Sequence, residues 1–194
     1  MSRDSAISTG SVPKPPRRRQ LNLAVISVSL LAVLLVGAAG LYGRLLYRCA
    51  SWVEIGLAAD PQNQPVTIIR NLARLVSEPV CDGYLDARTW AHLGRAYDNV
   101  PSVEALNQRR SLGAFQQAAL LEPDQPDLQI DLAKAFVNIG QFNYALRPIS
   151  DAFARLGDDE RLLRMLVTTH IAIEDRPSAI ALLLEVYGDG TPLP

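Results

Sequence analysis

The stretch DARTWAHLGRAYDNV, residues 86–100, places Trp90, Leu93, Gly94 and Tyr97 at helical spacing on one face. Two aromatic rings and a leucine make a face that must be covered, and the glycine leaves a low point where another helix can close. The pattern returns downstream with helical period and short breaks, without alternating strand runs. In SLGAFQQAALLEPD, Phe115, Ala118 and Pro123 have the spacing of a second helix and its closing proline. A further unit begins at Pro126, with Leu132, Ala133 and Phe136 on its first helix, then Gly140, Ala145, Ile149 and Ala152. The next sets Leu163, Leu166, Val167 and His170 on one helix and Ala179, Leu183 and Val186 on its partner.

Small residues at Gly94, Ala118, Ala133, Ala145, Ala152 and Ala179 let paired helices approach. Trp90, Tyr97, Phe115 and Phe136 fill the space beside them. Each hairpin alone leaves an apolar face open, and stacking buries it. At a period near 34 residues, residues 86–192 resemble the tetratricopeptide repeat family. The resemblance implies an all-α chain whose residues 65–194 form a solenoid of about three helix hairpins, with PVTIIRNLARLVSEPV as a lone helix ahead of them. An ordinary helical bundle is the competing fold. The first unit departs from the pattern by an insertion around DNVPSVEALNQRR, and the last lacks the Trp and Gly.

The N-terminal part obeys different physics. Residues 1–20 are basic, proline-bearing and poor in large apolar side chains, which predicts a disordered tail. The uncharged run LNLAVISVSLLAVLLVGAAGL opens a predicted transmembrane helix over 21–43, long enough for about 30 Å of hydrocarbon. Residues 44–64 are then expected as a juxtamembrane linker. Basic residues precede the run in excess, so the tail is expected in the cytoplasm and the body in the periplasm, across a bacterial inner membrane. A cleaved signal peptide competes, although the run exceeds the usual length of a signal's apolar core, about 7–15 residues. Arg48 before Cys49 argues against lipidation there. A Cys49–Cys81 disulfide and two unpaired cysteines both remain open.

Residues 1–48 carry +6 and the remainder −7. An acidic body excludes a general nucleic-acid binder, which needs clustered cations. His92 and His170 lie in different units without metal-ligand spacing, and no catalytic motif accompanies them. His170 reads as a satisfied core histidine. Asp158, Asp159 and Glu160 suit a helix start, where they face the positive end of the dipole. The reading is therefore a non-enzyme with no cofactor and no metal.

In tetratricopeptide proteins the groove is lined by recurring positions of each first helix. Carried onto this chain, those include Arg88, Ala91, Arg95, Asp98 and Asn99; Asp127, Ile130, Lys134, Val137 and Asn138; and Arg161, Arg164, Thr168 and Ile171. The cations Arg88, Arg95, Lys134, Arg161 and Arg164, with Asn99 and Asn138, are expected to hold a peptide of a client or partner protein through carboxylates. Ordinary solvated helix charges are the alternative.

The segments LARLVSEPVCDGYLDARTWAHLGRAY and AFQQAALLEPDQPDLQIDLAKAF resemble membrane-anchored repeat subunits of bacterial cytochrome c maturation and haem-lyase systems. That resemblance implies a periplasmic domain that holds an apocytochrome. A general envelope assembly factor or translocon-linked chaperone, and a structural subunit of a membrane complex, fit the same anchor and repeats.

Overall fold

The computed structural model describes residues 17–101, 105–157 and 159–188, with side chains from Val25 onward. Every regular element among the described residues is helical. Helix α1 runs Arg17–Ala58. Residues 17–20, expected in a disordered tail, form its first turn; the rest of that tail lies outside the described residues. The chain divides into a unit ending at Leu45 and a second beginning at Leu46. In the first, the large apolar side chains from Val25 to Leu41 are 58–74% exposed. The mean hydropathy there reaches 2.3.

The second unit corrects the expectation of a linker over 44–64. The helix continues to Ala58, with Cys49 1% exposed and Trp52 and Val53 packed on the same core. Polar residues in this stretch hid an apolar seam whose cover lies on a later helix. That helix is α2 (Pro65–Ser77), which opens on a proline and buries Ile68, Leu72 and Leu75 at helical spacing. A 3-10 turn, Pro79–Tyr84, follows and presents Cys81, which forms a disulfide with Cys49. Gly56 faces Leu72 directly: a Cβ there would come within 2.6 Å of Leu72 Cγ, and Leu72 is fully buried.

Helix α3 (Ala87–Asp98) starts where the Asp86 carboxylate accepts the Thr89 N–H at 2.7 Å. It pairs with α4 (Leu106–Leu121); α5 (Pro126–Asn138) pairs with α6 (Phe142–Leu156), and α7 (Glu160–Ala172) with α8 (Arg176–Tyr187). Between hairpins, α4 packs on α5 and α6 on α7. The small residues serve as low points: Ala118, Ala133, Ala145 and Ala152 are 0% exposed. Phe115 and Tyr97 are buried, while Trp90 and Phe136 are partly so. His170 is partly buried and has a polar partner, its Nδ1 lying 3.1 Å from Asp175 Oδ2. His92 Nε2 lies 2.9 Å from the Ala59 carbonyl, joining α3 to the end of α1.

The repeat is written in backbone bonds as well as side chains. After α5, Gln141 N–H donates to Phe136 O and Gly140 N–H to Val137 O, both at 2.9 Å. One 34-residue period later, Asp175 N–H donates to His170 O at 2.9 Å and Glu174 N–H to Ile171 O at 3.0 Å. Both are the paired closures of a helix end with a left-handed residue. Gly140 takes that place at φ +74 and Glu174 at φ +64.

A Cβ at Gly94 would sit 2.8 and 2.9 Å from ring carbons of Phe115, whereas one at Gly113 meets nothing within 4 Å. Gly94→Ala is expected to cost about 1–3 kcal/mol by overpacking. Gly113→Ala should instead gain about 0.5–1 kcal/mol from helix propensity. Thermal unfolding of both variants of the full chain checks this. The disulfide closes a sequence separation of 32, for which the loop-entropy relation expects about 3–4 kcal/mol. Reductant should lower the melting temperature of the wild type and leave Cys49→Ser/Cys81→Ser unmoved.

Candidate peptide-binding groove

The first helices of the hairpins, α3, α5 and α7, border an open groove of about 460 Å³. On α5, Asp127, Ile130, Asp131 and Lys134 recur at three- and four-residue steps, so they share one helix face. Arg95 enters from α3, and Arg161, Leu162 and Met165 from α7. Ile130, Leu162 and Met165 give the groove apolar surface between its charges.

Those charges are mostly answered within the protein. Asp131 Oδ2 accepts Arg95 Nε at 2.8 Å and lies 2.6 Å from its Nη2. The Asp131 side chain is 17% exposed, so this pair is better shielded than an ordinary surface bridge. Asp159 caps α7 by accepting the Arg161 N–H at 2.9 Å, and the Arg161 guanidinium turns back to the same carboxylate at 3.4 Å. Hydrogen bonding from that backbone N–H holds the Asp159 carboxyl below its ordinary pKa. Arg164 pairs with Glu160 at 2.6 Å along α7.

The expected basic groove is thus an alternating one. Position along each first helix identified the cations, but their partners Asp131 and Asp159 depend on how α3 meets α5 and on the cap of α7. Of the expected residues, Arg95, Asp127, Ile130, Lys134 and Arg161 converge on the groove. Arg88 lines an adjoining hollow with His92 and Glu122, which shares Arg95 and Asp127 with the groove. Asn99 turns its amide to the Arg95 carbonyl at 3.0 Å, and the exposed Asn138 is not part of the lining. Asp131 went unnoticed in the sequence, although its place one turn after Asp127 was visible there.

Asp98 belongs to the same field. Desolvation is the main cause that raises its pKa, and the neighbouring Asp131 adds to it; the Ser111 hydroxyl and Lys134 act the other way. Lys134 is left without an ion pair among the described residues. Asp127, in the first turn of α5, also lacks one. On the other side, α4, α5 and α6 border a wider hollow of about 770 Å³. Phe136 and Tyr144 stack there with centroids 5.8 Å apart. Among the described residues no group of His, Cys, Asp and Glu is arranged to hold a metal.

No family model matches the sequence, and no curated protein matches it. Solved structures do resemble the fold. One crystal structure of MamA shares 16% identity over 76% of this chain and 83% of its own, with a TM-score of 0.59. Another crystal structure of MamA shares 15% identity over 90% and 97%, with a TM-score of 0.58. A tetratricopeptide protein of Thermus thermophilus reaches only 0.46 at 16% identity, over 88% of this chain and 91% of its own, and carries no weight at that score. At such identities the likeness concerns the fold alone. With the motif residues packed inside successive hairpins, the fold is tetratricopeptide-like.

The raised Asp98 pKa has a measurable sign. Between the ordinary value, about 3.9, and the raised one, the folded chain holds this proton more than the unfolded chain does. Stability from this group therefore falls as pH rises through that window. Asp98→Asn should melt above the wild type at neutral pH, and the gap should close as pH falls toward about 4. Melting curves across that range decide it.

Proposed function

We propose that this protein is a non-enzymatic membrane-anchored scaffold whose groove holds a peptide segment of a client or partner protein. The observation that carries the reading is the groove itself, with Ile130, Leu162 and Met165 offering apolar contact between charged edges. Such a surface suits an extended or helical segment with both apolar and charged residues. Lys134 and Asp127 are the charges left for that segment, a cation and an anion about two turns apart on α5. The exposed apolar stretch of α1 supports a bilayer span over residues 21–43. A Cys49–Cys81 disulfide fits an oxidising compartment, and the basic excess before the span fits a cytoplasmic tail with a periplasmic body. Cytochrome c assembly is the client process proposed first, on the sequence resemblance alone.

A photoreactive residue placed at Ile130 in the full chain, in native membranes, tests the groove. It should trap a partner that the same residue at Gln117, on α4, does not trap, and Lys134→Glu should abolish the product. Equal trapping from both positions would sink the groove reading. A c-type apocytochrome or haem-lyase component as the trapped species supports the assembly role. Unrelated envelope proteins, with c-type cytochromes intact in a deletion strain, move the role to general envelope assembly.

A further inference from the structure

Two guanidinium groups gather over one indole at the end of α1. Arg48 Cζ lies 5.7 Å from the centroid of Trp52, and Arg74 Cζ, on α2, lies 5.9 Å from it. Cation–π attraction holds each of them, but the two like charges repel each other. Neither lies within ion-pair distance of a carboxylate among the described residues. Arg95, Arg155 and Arg164, by contrast, lie 2.5–2.6 Å from theirs. Helix α2, PVTIIRNLARLVS, contains no acid, and Arg70 one turn before Arg74 adds to the same charge.

The elements that carry the pair cannot drift apart. Arg48 is joined in sequence to Cys49, which is bonded to Cys81 in the turn that leaves α2. Gly56 sits against Leu72, on the same helix as Arg74. Two cations are therefore held on a common frame with no carboxylate in ion-pair contact among the described residues, although Glu78 caps α2 one turn after Arg74. Guanidinium groups match the oxygens of a phosphate through paired N–H donors. The sequence around them is that of a bilayer edge: Arg48 and Tyr47, which is 76% exposed, come just after the exposed apolar run of α1.

We propose that Arg48 and Arg74, over the ring of Trp52, bind the phosphate of an anionic phospholipid headgroup. The site rests on the reading of α1 as a bilayer span.

The test uses the full chain in nanodiscs of phosphatidylcholine with a minor share of phosphatidylglycerol. The lipid retained with the protein is measured by native mass spectrometry. The wild type should retain phosphatidylglycerol several-fold above its share. Arg48→Gln/Arg74→Gln should lose that enrichment, while Arg109→Gln, an exposed arginine on α4, should keep it. Brominated phosphatidylglycerol should quench the emission that Trp52→Phe removes. Retention without headgroup preference, or with equal preference in the double variant, overturns the site and leaves the span standing. A chain that stays out of the nanodisc overturns both. Displacement of the lipid by millimolar inorganic phosphate would assign the pair to free phosphate. Trapping of an acidic protein segment by a photoreactive residue at position 74 would assign it to a protein partner. Either result overturns the lipid site.

Discussion

The close approach of Gly94 to Phe115 sets the geometry of the body. Helices α3 and α4 lie near enough that a single methyl group would collide with a ring that is itself 1% exposed. Phe115 also belongs to the core formed with Leu128 and Ala135 on α5, so the distance between α3 and α4 governs where the next hairpin starts. The Arg95–Asp131 pair crosses from α3 to α5 on the groove side of that same arrangement. A shift in the core would therefore be felt in the spacing of the groove charges, because close-packed interiors pass displacements on rather than absorb them.

Much of this was legible in the sequence because the repeat solves a local problem. Trp90, Gly94, Phe115, Ala118 and Pro123 form and close one hairpin within a short span of chain, so spacing alone reveals their partners. Cys49, Trp52 and Gly56 are different. Their cover is α2 and the turn after it, and no periodicity within residues 44–64 announces that a later helix will bury them. The groove charges were half legible for a related reason. Helical spacing says which side chains share a face, but the pairing of Arg95 with Asp131 depends on inter-helix register. The turn of Arg161 back onto its own cap depends on a rotamer.

Two groups of cations in this protein differ in their physical setting. In the groove they are largely compensated, so a segment of the proposed kind would be selected by shape, the apolar strip and the few charges left over. Near Trp52 they are uncompensated and stacked on an aromatic ring, which favours a small, strongly charged group. A net charge of −1 conceals both arrangements.

The left-handed turn at Glu174 gives the stack a direction. Glycine takes this conformation freely at position 140, but glutamate one period later carries a Cβ that makes it cost about 1–2 kcal/mol. The turn belongs to the hairpin α7–α8, and α8 packs on α7 without a helix beyond it among the described residues. At the other end, the Cys49–Cys81 bridge ties the start of the stack covalently. In a nearest-neighbour stack, opening begins where the fewest contacts must break. Of the two described ends, the bridged one is expected to open later than α8. A segment held along the groove, as proposed, would then meet a stiffer wall at α3 than at α7.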